Sequence, residues 1–202
     1  MLAFDRVTKR FPGVLALDNV SWTAQPGEVH ALCGENGAGK STLLKVLSGV
    51  YQADDGTTLL NGEPRSFSSE VDAIRAGVAV IYQELNLIPE MSVAENIWLG
   101  HLPSSVGFVD RPKLYSLAEE SLAQVGLRVH PATKVGTLSL AQRQMVEIAK
   151  ALTRNSSVIA FDEPTSSLSS KEVERLFELI AELRAAGKVV LYVSHRMDEV
   201  KR

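Results

Sequence analysis

Apolar and polar residues alternate in LAFDRVTKRF (2–11) and again in NVSWTAQPGE (19–28), where Pro26–Gly27 marks a turn. A period of two is the mark of a half-buried strand. The stretch TTLLNGEP adds Asn61–Gly62, a tight-turn dipeptide, so the first third of the chain predicts an antiparallel sheet. Beside it, GEVHALC predicts a strand over Val29–Cys33, and KSTLLKVLSGV predicts a helix with Leu43, Val46 and Leu47 on one side and Gly49 as its stop. AGVAVIYQ reads as a buried strand ending at Gln83.

The texture then becomes helical. Ser92 and Glu95 form a capping box, and DRPKLYSLAEESLAQVGL starts a helix at Asp110 and stops it at Gly126. The sheet resumes with SVIAF (157–161) and KVVLYVS (188–194). Between them Ser169 and Glu172 cap a helix that carries Val173, Leu176, Phe177, Ile180 and Leu183 on one face. Buried apolar strands alternating with helices predict an α/β domain with a mainly parallel core sheet. We therefore expect a single domain over 1–202: a core from 1–83 and 138–202 that includes the antiparallel β part, and a helical subdomain inserted at 84–137.

With 202 residues, 45% hydrophobic and 22% charged, the chain has the size and composition of one globular domain, with or without an insertion. A formal net charge of −3 leaves no basic footprint, so no nucleic-acid partner is expected. No apolar run is long enough to cross a bilayer and no signal peptide is visible, which predicts a cytoplasmic chain whose membrane role, if any, comes through a partner. The one cysteine, Cys33, excludes an internal disulfide and is expected to be a small buried residue at a strand end.

The chemistry begins at GENGAGKST. Gly34, Gly39, Lys40 and Ser41 occupy the fixed places of G-x-x-x-x-G-K-[ST] between a predicted strand and a predicted helix. Glycines let backbone N–H groups turn inward on phosphate oxygens, Lys40 neutralises the terminal phosphates, and the Ser41 hydroxyl can ligate Mg²⁺. The phosphate-binding candidates are Gly34, Glu35, Asn36, Gly37, Ala38, Gly39, Lys40, Ser41 and Thr42. VIAFDEP supplies a second half: an apolar strand ending in Asp162, a candidate Mg²⁺ ligand, and Glu163, a candidate general base for an attacking water. With no guanine-reading N-K-x-D and no acceptor pocket for a small-molecule kinase visible, the phosphoryl acceptor predicted is water.

LSLAQRQMVEIAKAL (138–152) lies just upstream of VIAFDEPTSSLS. Together with the phosphate loop, Gln83 and the histidine of VSHRM, His195, it resembles the ATP-binding-cassette ATPases over essentially the whole chain. Ser139 and Gln142 read by themselves as a helix cap, S-x-x-Q. The resemblance implies more: that Ser139, Leu140, Ala141 and Gln142 form a signature that contacts the γ-phosphate of ATP bound to another cassette. Leu140 and Ala141 stand where the family has glycines, which removes backbone freedom at that close approach. Ser169 likewise stands where the family often has an aspartate that couples the two sites.

The resemblance also implies that Phe11 stacks on adenine, that Gln83 contacts Mg²⁺ and the attacking water, and that His195 contacts the γ-phosphate. FPGVLALDNVS, YQELNLIPEMSVAENIWLG and DEPTSSLS look like the first cassette of the ribose, xylose, galactose and arabinose import ATPases, with the arabinose type nearest. Implied are a P-loop NTPase fold that is C-terminally incomplete and MgATP as the cofactor. The implied partners are a second cassette as homo- or heterodimer, an integral membrane sugar permease and a periplasmic sugar-binding protein, and the place is the cytoplasmic face of the inner membrane. Two alternatives stay open: a soluble cassette ATPase acting on ribosomes or DNA, and an inactive nucleotide-binding fragment.

Overall fold

The structure is a computed structural model and describes residues 1–35, 37–105 and 107–200. In chain order β1 (Leu2–Phe11) and β2 (Val14–Ala24) are followed by β3 (Val29–Leu32), α1 (Lys40–Leu47), β4 (Asp55–Leu60) and β5 (Glu63–Arg65). Next come α2 (Glu70–Arg75), β6 (Val78–Ile81), α3 (Val93–Ile97), the short pair β7 (Ser104–Ser105) and β8 (Phe108–Val109), and α4 (Arg111–Gln124). The chain continues through α5 (Leu140–Leu152), β9 (Val158–Asp162), α6 (Ser170–Ala185), β10 (Val189–Val193) and α7 (Met197–Val200). These elements cluster into two compact units.

The first unit comprises Met1–Ile81, Ser156–Glu163 and Ile180–Arg202. It holds an antiparallel sheet in the order β2-β1-β4-β5 and a parallel sheet in the order β3-β10-β9-β6. Asn61 and Gly62 join β4 to β5 with φ of 55° and 83°, the paired positive values that a two-residue hairpin turn requires. Every residue of β9 and β10 is buried, as expected of central parallel strands covered on both faces. One apolar core runs from the antiparallel sheet (Leu2, Phe4) through α1 (Leu44, Leu47) to the parallel sheet (Val158, Ala160, Val189, Leu191). Burying a side chain of this size contributes about 1.5–3 kcal/mol, so this continuous core fixes α1 against both sheets.

The register decides where the chain's polar ends emerge. Val193 pairs with Leu32 on one side and with Asp162 on the other, so β3, β10 and β9 end level with one another. Three segments therefore meet at one edge: the phosphate loop after β3, Glu163 after β9 and His195 after β10. Crevices at the carboxyl ends of parallel strands are where α/β sheets bind ligands.

The second unit comprises Tyr82–Asn155 and Pro164–Leu179. Here α3, α4 and α5 pack on one another through Val93, Ile97, Leu114, Ala118, Met145 and Ile148, all buried. The helix that begins after Ser139 thus clusters with the residues around 84–137, because its apolar face meets α3 and α4. Asp110 accepts the N–H of Lys113 as the cap of α4, and Gly126 ends that helix region at φ 72°. Among the described residues no helix is long and apolar enough to cross a membrane.

Three sequence expectations shift. β6 stops at Ile81, so Gln83 lies in an exposed bend two residues past the strand end instead of closing it. Cys33 is exposed, because β3 is the edge strand of the parallel sheet and alternates between exposed and half-buried positions. On α6 the buried residues are Leu176, Leu179 and Ile180, while Val173, Phe177 and Leu183 are half-buried, a face turned slightly from the predicted stripe.

Candidate functional site

Asn36 lies outside the described residues; the rest of the phosphate loop is built on glycine geometry. Gly34, Gly37 and Gly39 have φ of 157°, 87° and 88°. Gly39 is the strictest. A Cβ there would stand 2.4 Å from the carbonyl oxygen of Ala16 on β2, so both the left-handed backbone and the close approach of β2 demand glycine. Gly39 is also the N-cap of α1 and supplies no side-chain cap, which leaves the helix's first N–H groups for an anion. Lys40 Nζ donates to the carbonyl oxygens of Gly34 (2.7 Å) and Glu35 (2.9 Å), so the ammonium is folded back over the loop that precedes it.

Ser41 Oγ donates to Asp162 Oδ1 at 3.3 Å, joining residues 121 positions apart. Asp162 is only 6% exposed. Burial pushes its carboxyl above the usual carboxylate range; the Ser41 hydroxyl opposes this, and the neighbouring Glu163 charge adds to the upward push. A dication placed on these oxygens would reverse that penalty. Among the described residues no group of three or more His, Cys, Asp and Glu side chains could hold a metal alone. One hydroxyl and one buried carboxylate are a donor set suited to Mg²⁺ that arrives with phosphates and keeps several waters. The residues present fit that ion.

Glu163 has left the strand and turned. Its φ is 49°, uncommon for a side chain-bearing residue, and its N–H donates to Val193 O at 3.1 Å across the strand ends. This turn aims the carboxylate along the edge, where Oε1 meets His195 Nδ1 at 3.2 Å. A carboxylate only accepts, so Nδ1 carries the proton and Nε2 is the nitrogen left for a ligand. The histidine is the more open of the two, its side chain 56% exposed against 18% for Glu163.

The other predicted residues stand elsewhere in their elements. Phe11 ends β1, half-buried, with Tyr51 edge-on at 5.2 Å between ring centroids and Lys9 Nζ 5.5 Å from its own centroid. Thr42 lies within α1. In the second unit, Ser139 Oγ accepts the N–H of Gln142, and Gln142 Oε1 accepts the N–H of Ser139, completing the capping box. Leu140 and Ala141 are the first residues of α5 and neither has positive φ, so the residues standing for glycine are compatible with this backbone. Leu140 is 60% exposed. The N–H and hydroxyl of Ser169 both donate to Glu172, a cap made with the predicted partner.

Two anchors escaped the sequence reading. Asn96 is fully buried, accepts the Ile88 N–H at 2.7 Å and donates to the carbonyl oxygens of Ile88 and Ser92, pinning the strand-to-helix passage after Gln83. Glu199 is 7% exposed and accepts from Tyr192 and Ser194. An asparagine inside a helical stretch and an acid near the last residues carry no pattern that marks them as buried.

Residues 17–166 match the family described as ABC transporter. The chain is 58% identical over 199 residues to the arabinose import ATP-binding protein AraG of Yersinia pestis, covering 98% of this chain and 38% of that protein. It is 58% identical over 201 residues to the protein of the same name from Pseudomonas fluorescens, covering 100% of this chain and 39% of that protein. It thus spans about two-fifths of the length of these curated relatives. Among solved structures, a dimeric post-hydrolysis ATP-binding cassette bound to ADP and Pi superposes with a TM-score of 0.86 at 26% identity, covering 98% of this chain and 90% of that one. A nucleotide-free cassette from an ABC transporter gives 0.84 at 28% identity, covering 100% and 83%. With its phosphate loop and level strand ends in a chain that matches the family over residues 17–166, this protein belongs to the ABC transporter family as an ATP-binding cassette.

Proposed function

We propose that this chain binds MgATP and hydrolyses it to energise the import of a monosaccharide, L-arabinose, through a membrane permease. The observation that carries the ATPase reading is the meeting, at the level ends of β3, β9 and β10, of Lys40, the Ser41–Asp162 pair and the Glu163–His195 pair. The sugar is taken from the names of the curated relatives.

In this reading the loop N–H groups and the N-terminus of α1 bind the phosphates, and Lys40 exchanges its two carbonyl partners for phosphate oxygens. Ser41 and Asp162 would hold Mg²⁺. The bound ion supplies charge neutralisation on the β- and γ-phosphates. Glu163 takes a proton from the attacking water through the oxygen that His195 leaves open. With Nδ1–H committed to Glu163, His195 reaches a phosphate oxygen through Nε2, and donates there as the imidazolium. Phe11 stacks on the adenine. Ser139, Leu140, Ala141 and Gln142 serve a second cassette, the hydroxyl proton of Ser139 being available because its oxygen already accepts from Gln142.

The partners that complete this function are a second cassette, a membrane sugar permease and a periplasmic sugar-binding protein, with the chain on the cytoplasmic face of the inner membrane. Residues 84–137 are its helical subdomain. Copurification from membranes with mass spectrometry of what is retained tests the assignment: a sugar permease supports it, and ribosomes in its place would overturn it.

A further inference from the structure

Two residues past the end of β10, His195 sits in a short turn whose flanks are both tied to one buried acid. Glu199, in the four-residue α7, is 7% exposed. Its Oε2 accepts from the Ser194 hydroxyl at 2.8 Å and from the Tyr192 hydroxyl at 3.0 Å. Its Oε1 pairs with Arg196 Nη1 at 2.8 Å. The turn closes on itself as well: the Arg196 N–H donates to Ser194 Oγ at 3.0 Å, and the Glu199 N–H donates to Arg196 O at 3.1 Å.

A helix of one turn does not hold its shape alone, and a carboxylate is costly to bury unless donors surround it. Here each supports the other. The residues immediately before and after His195 are both fixed on Glu199, while the His195 ring is held by Glu163. Tyr192, 3% exposed in the buried end of β10, connects the same carboxylate to the rigid strand. The imidazole therefore has its flanking backbone held by Glu199 and its Nδ1 by Glu163.

We infer that Glu199 is a positioning residue for the hydrolytic step: it fixes the turn that sets His195 against Glu163, and touches neither nucleotide nor water. This rests on the ATPase reading. A misplacement of about 1 Å in a reacting group can cost 10²-fold in rate, so loss of the clamp is expected to lower turnover about tenfold or more without weakening binding.

The experiment compares wild type, Glu199→Ala, Glu199→Gln, His195→Ala and the His195→Ala/Glu199→Ala double variant in the whole chain. ATP turnover is measured as kcat and KM, nucleotide affinity by fluorescence titration, and the His195 ring by its NMR signals, assigned through the loss seen in His195→Ala. In Glu199→Ala, kcat should fall about tenfold or more while KM and affinity hold, and the His195 signals should move. Glu199→Gln should recover part of the loss, because the amide oxygen still accepts from Tyr192 and Ser194. In the His195→Ala background, removing Glu199 should cost nothing further. Turnover at the wild-type level in Glu199→Ala overturns the inference, as does an equal fold-loss in both backgrounds. If Glu199→Ala does not fold, Glu199→Gln and its own double variant carry the same comparison. Unmoved His195 signals in a folded Glu199 variant also overturn it, even if wild type shows no turnover. Wild-type turnover that stays absent at protein concentrations high enough to pair two chains, with displaced His195 signals, would sink the ATPase reading and leave the positioning role standing.

Discussion

His195 Nδ1 and Glu163 Oε1 lie 3.2 Å apart although 32 residues separate them in the chain, because β9 and β10 are adjacent, parallel and end level. Glu163 reaches that position at φ 49°, a left-handed backbone that costs on the order of 1–3 kcal/mol and persists only where the surroundings enforce it. The Val193 carbonyl, accepting the Glu163 N–H, is part of that enforcement. The expected outcome for Glu163→Gln is a fall in ATP turnover of roughly 10²–10⁴ with ATP affinity retained, since the amide keeps the side chain's size and cannot take a proton. Steady-state phosphate release alongside a binding titration checks this, and turnover at the wild-type level would show that another group is the base.

Lys40→Ala should weaken MgATP binding by about 1.5–3 kcal/mol, the worth of a charge-assisted contact, or roughly tenfold to a hundredfold. In the structure Lys40 bonds backbone carbonyls, so its removal should leave the fold intact. Calorimetric titration of the variant, with circular dichroism as the fold control, reads both quantities. Undiminished affinity would make the loop a purely structural turn.

Gly39→Ala tests geometry without changing charge. The new Cβ would have to coexist with the Ala16 oxygen at 2.4 Å and with φ 88°, so a loss of about 2–4 kcal/mol in stability is expected. Gly37→Ala has the same sign of φ but nothing within 4 Å of its Cβ, and should cost only the backbone strain, about 1 kcal/mol. Urea unfolding of the two variants separates close approach from conformation; equal losses would mean that β2 does not press on the loop.

Asp162 gives a pH signature. Its folded carboxyl is raised by burial, so it disfavours the charged folded state: the stability it contributes is present at low pH and is lost as pH rises through its raised value. Asp162→Asn should therefore stabilise the nucleotide-free chain at neutral pH, by about 1 kcal/mol, and this gain should vanish in acid. The same variant should lose the extra stabilisation that Mg²⁺ adds to bound ATP. Thermal unfolding from pH 4 to 8, with and without MgATP, checks both signs. A destabilised nucleotide-free variant at neutral pH would show that Ser41 and its surroundings already compensate the charge.

Phosphate release per chain should rise with protein concentration. On the proposed function the nucleotide-facing groups lie in one cassette and Ser139 to Gln142 serve another, so a solitary chain would lack contacts worth roughly 10²–10⁴ in rate. Specific activity independent of concentration over a wide range would mean that one chain completes its own site.

Much of this protein was legible in one dimension. The spacing of Gly34, Gly39, Lys40 and Ser41 specifies a phosphate loop because the requirement is local: consecutive N–H groups, positive φ at glycines and a helix start all lie within nine residues. The caps at Ser92, Asp110 and Ser139 were equally readable, since each is a hydrogen bond across three residues. Alternation and apolar runs separated the antiparallel β part from the buried parallel strands, because side-chain periodicity tracks backbone geometry. Tertiary structure decided the rest. The pairing of Val193 with both Leu32 and Asp162 is a choice of register and strand order, set by which apolar faces fit together in the core, and no local pattern encodes it. That choice made Ser41 and Asp162, and Glu163 and His195, into pairs. It also put Cys33 on an exposed edge, and it buried Glu199, a residue that sequence alone would leave in water, because the end of β10 had hydroxyls to offer a carboxylate.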